Sequence, residues 1–141
     1  MRLHHVGWVT KSTKVASDRF AREGMTALGH PVPDPVQRVI VQFFVDPVGL
    51  IWETVSPLED VGSSPLSSRL ARGGGLDHVC FELDEDDGSL EEVLSRQVDG
   101  GGTVVCAPVH AAAFRRRIAF VVHRSGRLLE FVEPRAQSDP Y

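Results

Sequence analysis

Two histidines and two glutamates occupy matched places in a sequence that repeats itself once. His5 lies in LHHVGWV (residues 3–9), and His78 lies in LDHVCFE (residues 76–82). Glu53 lies in GLIWETVSP (residues 49–57), and Glu130 lies in GRLLEFVEP (residues 126–134). Imidazole and carboxylate groups are ligands of divalent metal ions. The repeat therefore predicts one metal site whose ligands are His5, Glu53, His78 and Glu130.

The repeat also separates these residues from similar neighbours. Alternate residues of a strand share a face, so His5 and the adjacent His4 point in opposite directions. His78 holds the place in the second repeat that His5 holds in the first. The same matching selects Glu53 and Glu130 from the acidic residues of their segments. We therefore expect His5, and not His4, to bind the metal.

A ligand set of two histidines and two carboxylates suits zinc, cobalt, nickel, manganese or ferrous iron. Both glutamates lie in apolar segments, where an unpartnered carboxylate is costly to bury, and a metal ion removes that cost. Four protein ligands on an octahedral ion leave two positions for substrate oxygens. Such an ion favours removal of a proton next to a carbonyl group, which indicates an isomerase or epimerase.

The elements that position these residues are predicted to repeat as well. A first module, residues 1–57, has the order β-α-β-β-β, provided that a short strand lies near residues 26–30. Three prolines that follow are expected to end regular structure there, because proline lacks an amide donor: Pro31, Pro33 and Pro35. The other predicted elements are a strand over 2–10, a helix capped by Ser12 or Thr13 that ends before Gly24, a strand over 38–45 and the strand of Glu53.

A second module, residues 76–134, follows a linker, residues 58–75, that holds a short helix over residues 66–72. Ser89 and Glu92 have the spacing of a capping box at the start of a helix. The other predicted elements are strands over 76–83, 103–108, 116–123 and 127–133, with residues 135–141 as a tail. We expect one α+β domain in which two βαβββ modules form a curved mixed sheet around a central metal cleft.

Composition excludes several classes of protein. The 141 residues are 42% apolar and 24% charged, as in a soluble globular protein. No apolar run approaches the about 20 residues of a membrane span, and the first strand starts too early for a signal peptide, so we expect a cytoplasmic protein. The net charge of −4 argues against nucleic-acid binding. Cys80 and Cys106 are too few for a disulfide framework.

The paired modules and their four matched residues resemble the vicinal oxygen chelate superfamily, which includes glyoxalase I, extradiol dioxygenases and bleomycin-resistance proteins. Within it the chain is most similar to methylmalonyl-CoA epimerase. Residues 64–83, with the linker helix and the His78 strand, and residues 120–130 carry that similarity. The likeness runs from about Leu3 to Pro134.

The resemblance implies an enolate mechanism on a small carbonyl compound or an acyl-CoA thioester. Glu130 is the first choice for the base, because a glutamate ligand serves this role in glyoxalase I. Gln37 aligns with a glutamate that the family is thought to use as a second base, and an amide cannot accept the proton as a carboxylate would. A shifted alignment places Asp34 there. His123 is a candidate to orient the substrate or to shuttle a proton.

Three consecutive arginines, Arg115, Arg116 and Arg117, either bind a phosphate or carboxylate of the substrate or form a solvated edge. Members of the superfamily often pair modules between chains, so the resemblance implies a homodimer.

Two other functions stay open. A metal-free binding protein of the antibiotic-resistance kind would sequester a small molecule in the same cleft, but it has no need of four ligands. A ring-cleaving dioxygenase uses two histidines and one glutamate with ferrous iron, so Glu53 would be an additional ligand. Arginine greatly outnumbers lysine, which is typical of a GC-rich bacterial source in which such domains also tailor secondary metabolites as lyases or dioxygenases.

Overall fold

The computed structural model describes residues 1–137 and residue 139. Each repeat contributes four strands and one helix, and a further helix lies in the linker. In chain order the elements are β1 (Arg2–Val9), α1 (Thr13–Arg22), β2 (Thr26–Asp34), β3 (Val39–Val45), β4 (Ile51–Pro57), α2 (Ser67–Ala71), β5 (Gly75–Glu82), α3 (Leu90–Asp99), β6 (Thr103–Ala111), β7 (Arg116–Val122) and β8 (Leu128–Val132). Positions 138, 140 and 141 of the predicted tail lie outside the described residues.

The strands belong to one mixed sheet in the order β2-β3-β4-β1-β5-β8-β7-β6. The first strand of each module runs parallel to its last, β1 with β4 and β5 with β8. The hairpin pairs within each module are antiparallel. This arrangement confirms the predicted α+β class and the two βαβββ modules. By compactness the chain divides into residues 5–77 and residues 1–4 with 78 onward, and its predicted single-domain organisation stays a prediction.

Strand β2 is longer than predicted, because Thr26–Asp34 runs through Pro31 and Pro33. The expectation that these prolines end regular structure is wrong. β2 lies at one end of the strand order and pairs with β3 alone, and an edge strand tolerates a residue without an amide donor. Its register with β3 also shifts between Leu28 and Val32, so the pairing is irregular where the prolines begin.

The two helices of the repeats start at serine caps. Ser89 and Glu92 form the predicted capping box of α3: the Glu92 amide donates to Ser89 Oγ at 3.2 Å, and the Ser89 amide donates to Glu92 Oε2 at 2.7 Å. The cap of α1 is weaker, with one bond of 3.4 Å from the Val15 amide to Ser12 Oγ. The sequence thus determines where each helix begins.

The helices α1 and α3 each pack on one face of the strands of their own module. From α1, Phe20 contacts the rings of Trp8, Phe44 and Trp52. The second module forms its core in the same way, from Leu83, Leu90, Val93, Leu94, Ala119, Val121, Leu129 and Phe131. We call this side of each module its helix face. Alternation along the strands then places the other side chains on the opposite face.

Within the described part of the chain, every helix is too short or too polar to cross a membrane. Both cysteines are free thiols, with Cys80 buried and Cys106 half-buried.

Candidate metal centre

The N-terminal module holds His5 and Glu53 against each other. Gly7 is the register partner of Glu53 in the parallel pair β1 and β4, and His5 shares the face of Gly7. His5 Nε2 lies 3.4 Å from Glu53 Oε2, and the two residues are only 0% and 4% exposed. Phe43, the register partner of Glu53 on β3, packs edge-on against the His5 ring with centroids 5.5 Å apart.

The C-terminal module repeats this geometry with His78 and Glu130. Cys80 is the register partner of Glu130, and His78 Nε2 lies 3.3 Å from Glu130 Oε2. These two residues are 4% and 3% exposed. Phe120 stands opposite Glu130 on β7 and packs edge-on against the His78 ring at 5.2 Å. The residue beside each glutamate on the parallel strand is small, glycine or cysteine, which leaves room for the carboxylate to turn towards its histidine.

The four side chains form a group that could hold a metal ion. Each offers one ligand atom, an imidazole nitrogen or a carboxylate oxygen. Two ligands of one ion, each about 2.1 Å from it, lie roughly 3 to 4 Å apart. The distances of 3.4 and 3.3 Å within the pairs fall in that range. Two imidazole nitrogens and two carboxylate oxygens therefore fit a divalent ion in both chemistry and spacing.

His4 lies on the other face of β1. It is buried, and its ring packs edge-on against Phe114 at 5.2 Å. The choice of His5 over His4 as the metal ligand stays a prediction.

Sequence reasoning missed Cys106, which lies in the same row of side chains as Glu130. Cys106 is the register partner of Phe120, and Phe120 is the register partner of Glu130. Burial raises the pKa of the Cys106 thiol, and the negative charge of Glu130 raises it further. In the N-terminal module Leu28 holds this place beside Phe43. Register shifts on both sides of Cys106 hide the alternation that would have revealed it.

Gln37 and Asp34 form a local pair in the turn between β2 and β3. The backbone amide of Gln37 donates to Asp34 Oδ1 at 2.9 Å, and the side-chain Nε2 of Gln37 donates to Asp34 Oδ2 at 3.0 Å. Asp34 stands opposite Val39, four residues along β3 from Phe43, which is roughly 13 Å at strand spacing. The structure therefore gives no support for Gln37 or Asp34 as a base beside the His–Glu pair of this module.

His123 lies just after β7 on the helix face. Its Nε2 is 3.0 Å from Oε1 of Gln97 on α3, and Val121, two residues earlier, belongs to the core under that helix. Phe120 and Glu130 occupy the opposite face. The structure gives no support for His123 as a proton shuttle at the metal centre, because side chains on opposite faces of a sheet do not meet.

The three consecutive arginines differ in their surroundings and in the groups with which they pair. Arg116 is buried, and its Nη1 donates to Glu82 Oε2 at 2.9 Å and to the Glu133 carbonyl at 2.6 Å. Burial alone would raise the pKa of Glu82, but hydrogen bonds from Arg2 and Arg116 hold it below its ordinary value. Arg116 therefore neutralises a buried carboxylate.

Arg117 pairs with Glu91 at 2.7 Å and with Glu133 at 2.6 Å. Arg115 is exposed in the turn before β7, with a backbone φ of 56° in the region that favours glycine. Arg38 has a φ of 59° in the corresponding turn of the first module. Substrate binding stays a prediction for Arg115, while Arg116 and Arg117 have carboxylate partners within the protein.

Two βαβββ modules, each with a buried His–Glu pair, define the class of protein. The sequence model of the Glyoxalase/Bleomycin resistance protein/Dioxygenase superfamily matches residues 4–120, and the chain belongs to this superfamily. The predicted membership is confirmed. Proteins of this superfamily are often enzymes and typically bind a divalent metal ion.

Solved structures share the fold over nearly the whole chain. A hypothetical protein from Bacillus halodurans is 25% identical with a TM-score of 0.79, covering 97% of this chain and 96% of that chain. Methylmalonyl-CoA epimerase from Mycobacterium tuberculosis is 24% identical with a TM-score of 0.76, covering 96% and 89%.

A variant methylmalonyl-CoA epimerase from Streptomyces coelicolor, in complex with 2-nitronate-propionyl-CoA, is 20% identical with a TM-score of 0.75, covering 96% of this chain and 99% of that chain. At these identities the likeness to the epimerases shows the fold alone. No functionally curated protein matches the chain.

Proposed function

We propose that this protein is a metal-dependent isomerase or epimerase that acts on a small carbonyl compound or an acyl-CoA thioester, in the manner of methylmalonyl-CoA epimerase. The observation that carries the proposal is the duplicated His–Glu pair, with distances of 3.4 and 3.3 Å in the two modules. Two buried pairs with the same neighbours are better explained by one shared ligand than by two independent packing needs.

In this proposal His5, Glu53, His78 and Glu130 hold one divalent ion of cobalt, zinc, nickel, manganese or iron. When bound, the ion would supply Lewis acidity beside a substrate carbonyl oxygen, which favours loss of a proton from the neighbouring carbon. Burial of two carboxylates without a countercharge is costly, so the ligand set itself favours a cation.

Glu130 is the proposed base. Its carboxylate can accept a proton, whereas the amide of Gln37 cannot. Glu130 is 3% exposed, so water does not compete strongly for its oxygens. When the Glu130 carboxylate accepts a proton, it loses a negative charge that is costly to keep in its buried surroundings. Phe120 and, beyond it, Cys106 lie on one side of this carboxylate and would shape the space in which the reacting carbon lies.

The acyl-CoA class is supported by the epimerase structures, one of which contains a propionyl-CoA analogue. An acyl-CoA carries phosphates, and Arg115 is an exposed cation that suits such a group. The superfamily also supports a homodimer, which stays a prediction.

The first test is the metal content of the purified protein, measured by elemental analysis after reconstitution with each candidate ion. We expect about one ion per chain in the natural protein and loss of the ion in the double variant Glu53→Ala/His78→Ala. His4→Ala is the matched control, because His4 is a buried histidine of the same strand on the other face, and it should keep the ion.

A protein that binds metal is then tested for deuterium exchange at the acidic carbon of methylmalonyl-CoA and related thioesters. Exchange that requires both the ion and Glu130 supports the proposal. A protein that takes up no ion under any condition contradicts it, and ligand sequestration without metal becomes the better account. Metal binding without exchange on any thioester or small carbonyl compound contradicts the epimerase reaction.

A further inference from the structure

The two modules differ most on their helix faces. In the N-terminal module three rings fill the space between helix and strands: Phe20 of α1 lies 5.9 Å from the ring of Trp8 and 6.1 Å from that of Trp52. The indole Nε1 of Trp52 donates to Asp46 Oδ2 at 3.3 Å, which closes the polar end of this cluster.

The C-terminal module has smaller or polar residues at the matched positions. They are matched by their distances in sequence from the ligand histidine, the helix cap and the ligand glutamate. In the order of Trp8, Phe20 and Trp52 they are Phe81, Gln97 and Leu129. Two indoles and a phenyl ring are thus replaced by one phenyl ring, an amide and an isobutyl group.

A cavity of about 430 Å³ lies at these residues of the C-terminal module. Its apolar wall is the half-buried Phe81, whose ring stacks on that of Phe131 with centroids 6.3 Å apart, and Leu129 and Phe131 line the cavity as buried side chains. A lining that combines an apolar wall with a few polar groups is typical of small-molecule sites.

The polar groups of the cavity lie on one side. His123 and Gln97 form a hydrogen-bonded pair of 3.0 Å, and Arg127 stands beside them. Among the described residues no carboxylate pairs with the exposed Arg127 guanidinium, and the matched residue of the first module is Leu50. The terminal ammonium of Met1, which also lines the cavity, is already paired with Asp84 at 2.6 Å.

We propose that this cavity binds a small organic anion with an apolar body, of the aryl or acyl carboxylate class. The body would lie against Phe81, and the anionic group would meet the Arg127 guanidinium, a donor suited to carboxylates. The cavity is on the helix face, whereas Glu130 is on the opposite face. It is therefore a second site, separate from the metal centre, and does not depend on metal binding.

The test uses anilinonaphthalene sulfonate, which has an aromatic body and one anionic group and fluoresces in apolar surroundings. We expect one probe molecule to bind per chain, with displacement by naphthylacetate and not by its neutral amide. Leu129→Trp, which restores the residue of the first module, should weaken probe binding by about tenfold or more because it fills the cavity. Arg127→Leu should remove the preference for naphthylacetate over the amide. Arg124→Leu, in the same turn and outside the cavity lining, is the matched control.

Near-ultraviolet circular dichroism and thermal unfolding establish that each variant is folded, and Arg127→Leu is a surface change that leaves the core intact. The proposal is overturned if the natural protein does not bind the probe, or if Arg124→Leu and Arg127→Leu change binding equally. It is also overturned if folded Leu129→Trp binds the probe as tightly as the natural protein. Loss of metal binding elsewhere in the molecule leaves these results unchanged.

Discussion

In each module, four residues that are register partners form a row across four strands. The two central positions of this row hold phenylalanine and glutamate in both the N-terminal and the C-terminal module, whereas the two end positions differ. In strand order the rows are Leu28, Phe43, Glu53 and Gly7 in one module and Cys106, Phe120, Glu130 and Cys80 in the other. The identical part contains the carboxylate and the ring that holds the histidine. The proposed metal site, with two equivalent ligand pairs, would account for the identity at the centre, and the ends are free to shape what lies beside it.

The helix faces of the two modules differ at every position compared. One is packed with rings and the other leaves a cavity, although both helices start at a matched serine. Packing between a helix and a sheet requires apolar contact but not particular residues. A duplicated fold can therefore keep one shared site on one face while its two copies acquire different properties on the other.

The largest effect that separates the modules is expected from their glutamates. Glu130→Gln should lower deuterium exchange by roughly 10²- to 10⁴-fold, the range for loss of a general base. Glu53→Gln should lower it much less, because the amide oxygen still offers a ligand atom and the assigned base is intact. The measurement is the exchange rate at saturating metal, with methylmalonyl-CoA as the first substrate tested.

Metal content is measured in both glutamine variants, so that loss of the ion is distinguished from loss of the base. If Glu53→Gln is the more damaging change while both variants retain metal, the base belongs to the N-terminal module. Equal losses in both would remove the functional distinction between the two glutamates.

The next effect is a difference in the free energy of unfolding between matched substitutions on the two helix faces. Phe20→Ala should destabilise the protein by about 3 to 5 kcal/mol, because the residue is 1% exposed and contacts three rings. The matched change Gln97→Ala removes one hydrogen bond at a cavity wall and should cost about 1 kcal/mol or less. Urea unfolding monitored by circular dichroism measures both. Similar losses would show that the cavity is packed as tightly as the ring cluster.

The parts of the molecule that the sequence predicts well depend on short-range or repeated patterns. Ser89 and Glu92 are three residues apart, so their capping box is visible without knowledge of the fold. The pairing of His78 with Glu130 was visible because the segment around His5 and Glu53 repeats it. Repetition thus supplies information about long-range contacts that a single strand pattern does not contain.

The failures depend on position in the sheet and on volume. Proline is compatible with β2 because β2 is an edge strand, and edge position follows from the order of all eight strands. Cys106 was missed because register shifts interrupt the alternation of β6. His123 lies on the helix face, two residues after the core residue Val121, and this face is known only once α3 is seen to pack there. The cavity beside it depends on three positions far apart in sequence, Phe81, Gln97 and Leu129, whose side chains are smaller than those of the first module.

The smallest expected effect compares the helix caps. Ser89→Ala should destabilise the protein by about 1 kcal/mol at neutral pH, within the usual range for loss of a serine cap. Ser12→Ala should cost less, because Ser12 Oγ accepts one long bond of 3.4 Å and has no reciprocal carboxylate. Chemical unfolding of the two variants at neutral pH measures the difference, and a costlier Ser12→Ala would contradict the assignment of the stronger cap to α3.

The advantage of the α3 cap should also depend on pH, with a sign set by Glu92. Hydrogen bonds from the Ser89 amide and then from its hydroxyl hold the pKa of Glu92 below its ordinary value of 4.5. A carboxyl group whose pKa is lowered by folding stabilises the native state above its unfolded pKa, and that contribution is lost as the pH falls through the folded value. The stability difference between the natural protein and Glu92→Gln should therefore be level at neutral pH, begin to shrink as the pH approaches 4.5, and shrink further below it. Unfolding of both proteins across this range tests the sign, and a difference that grows in acid would show that Glu92 does not cap the helix as a carboxylate.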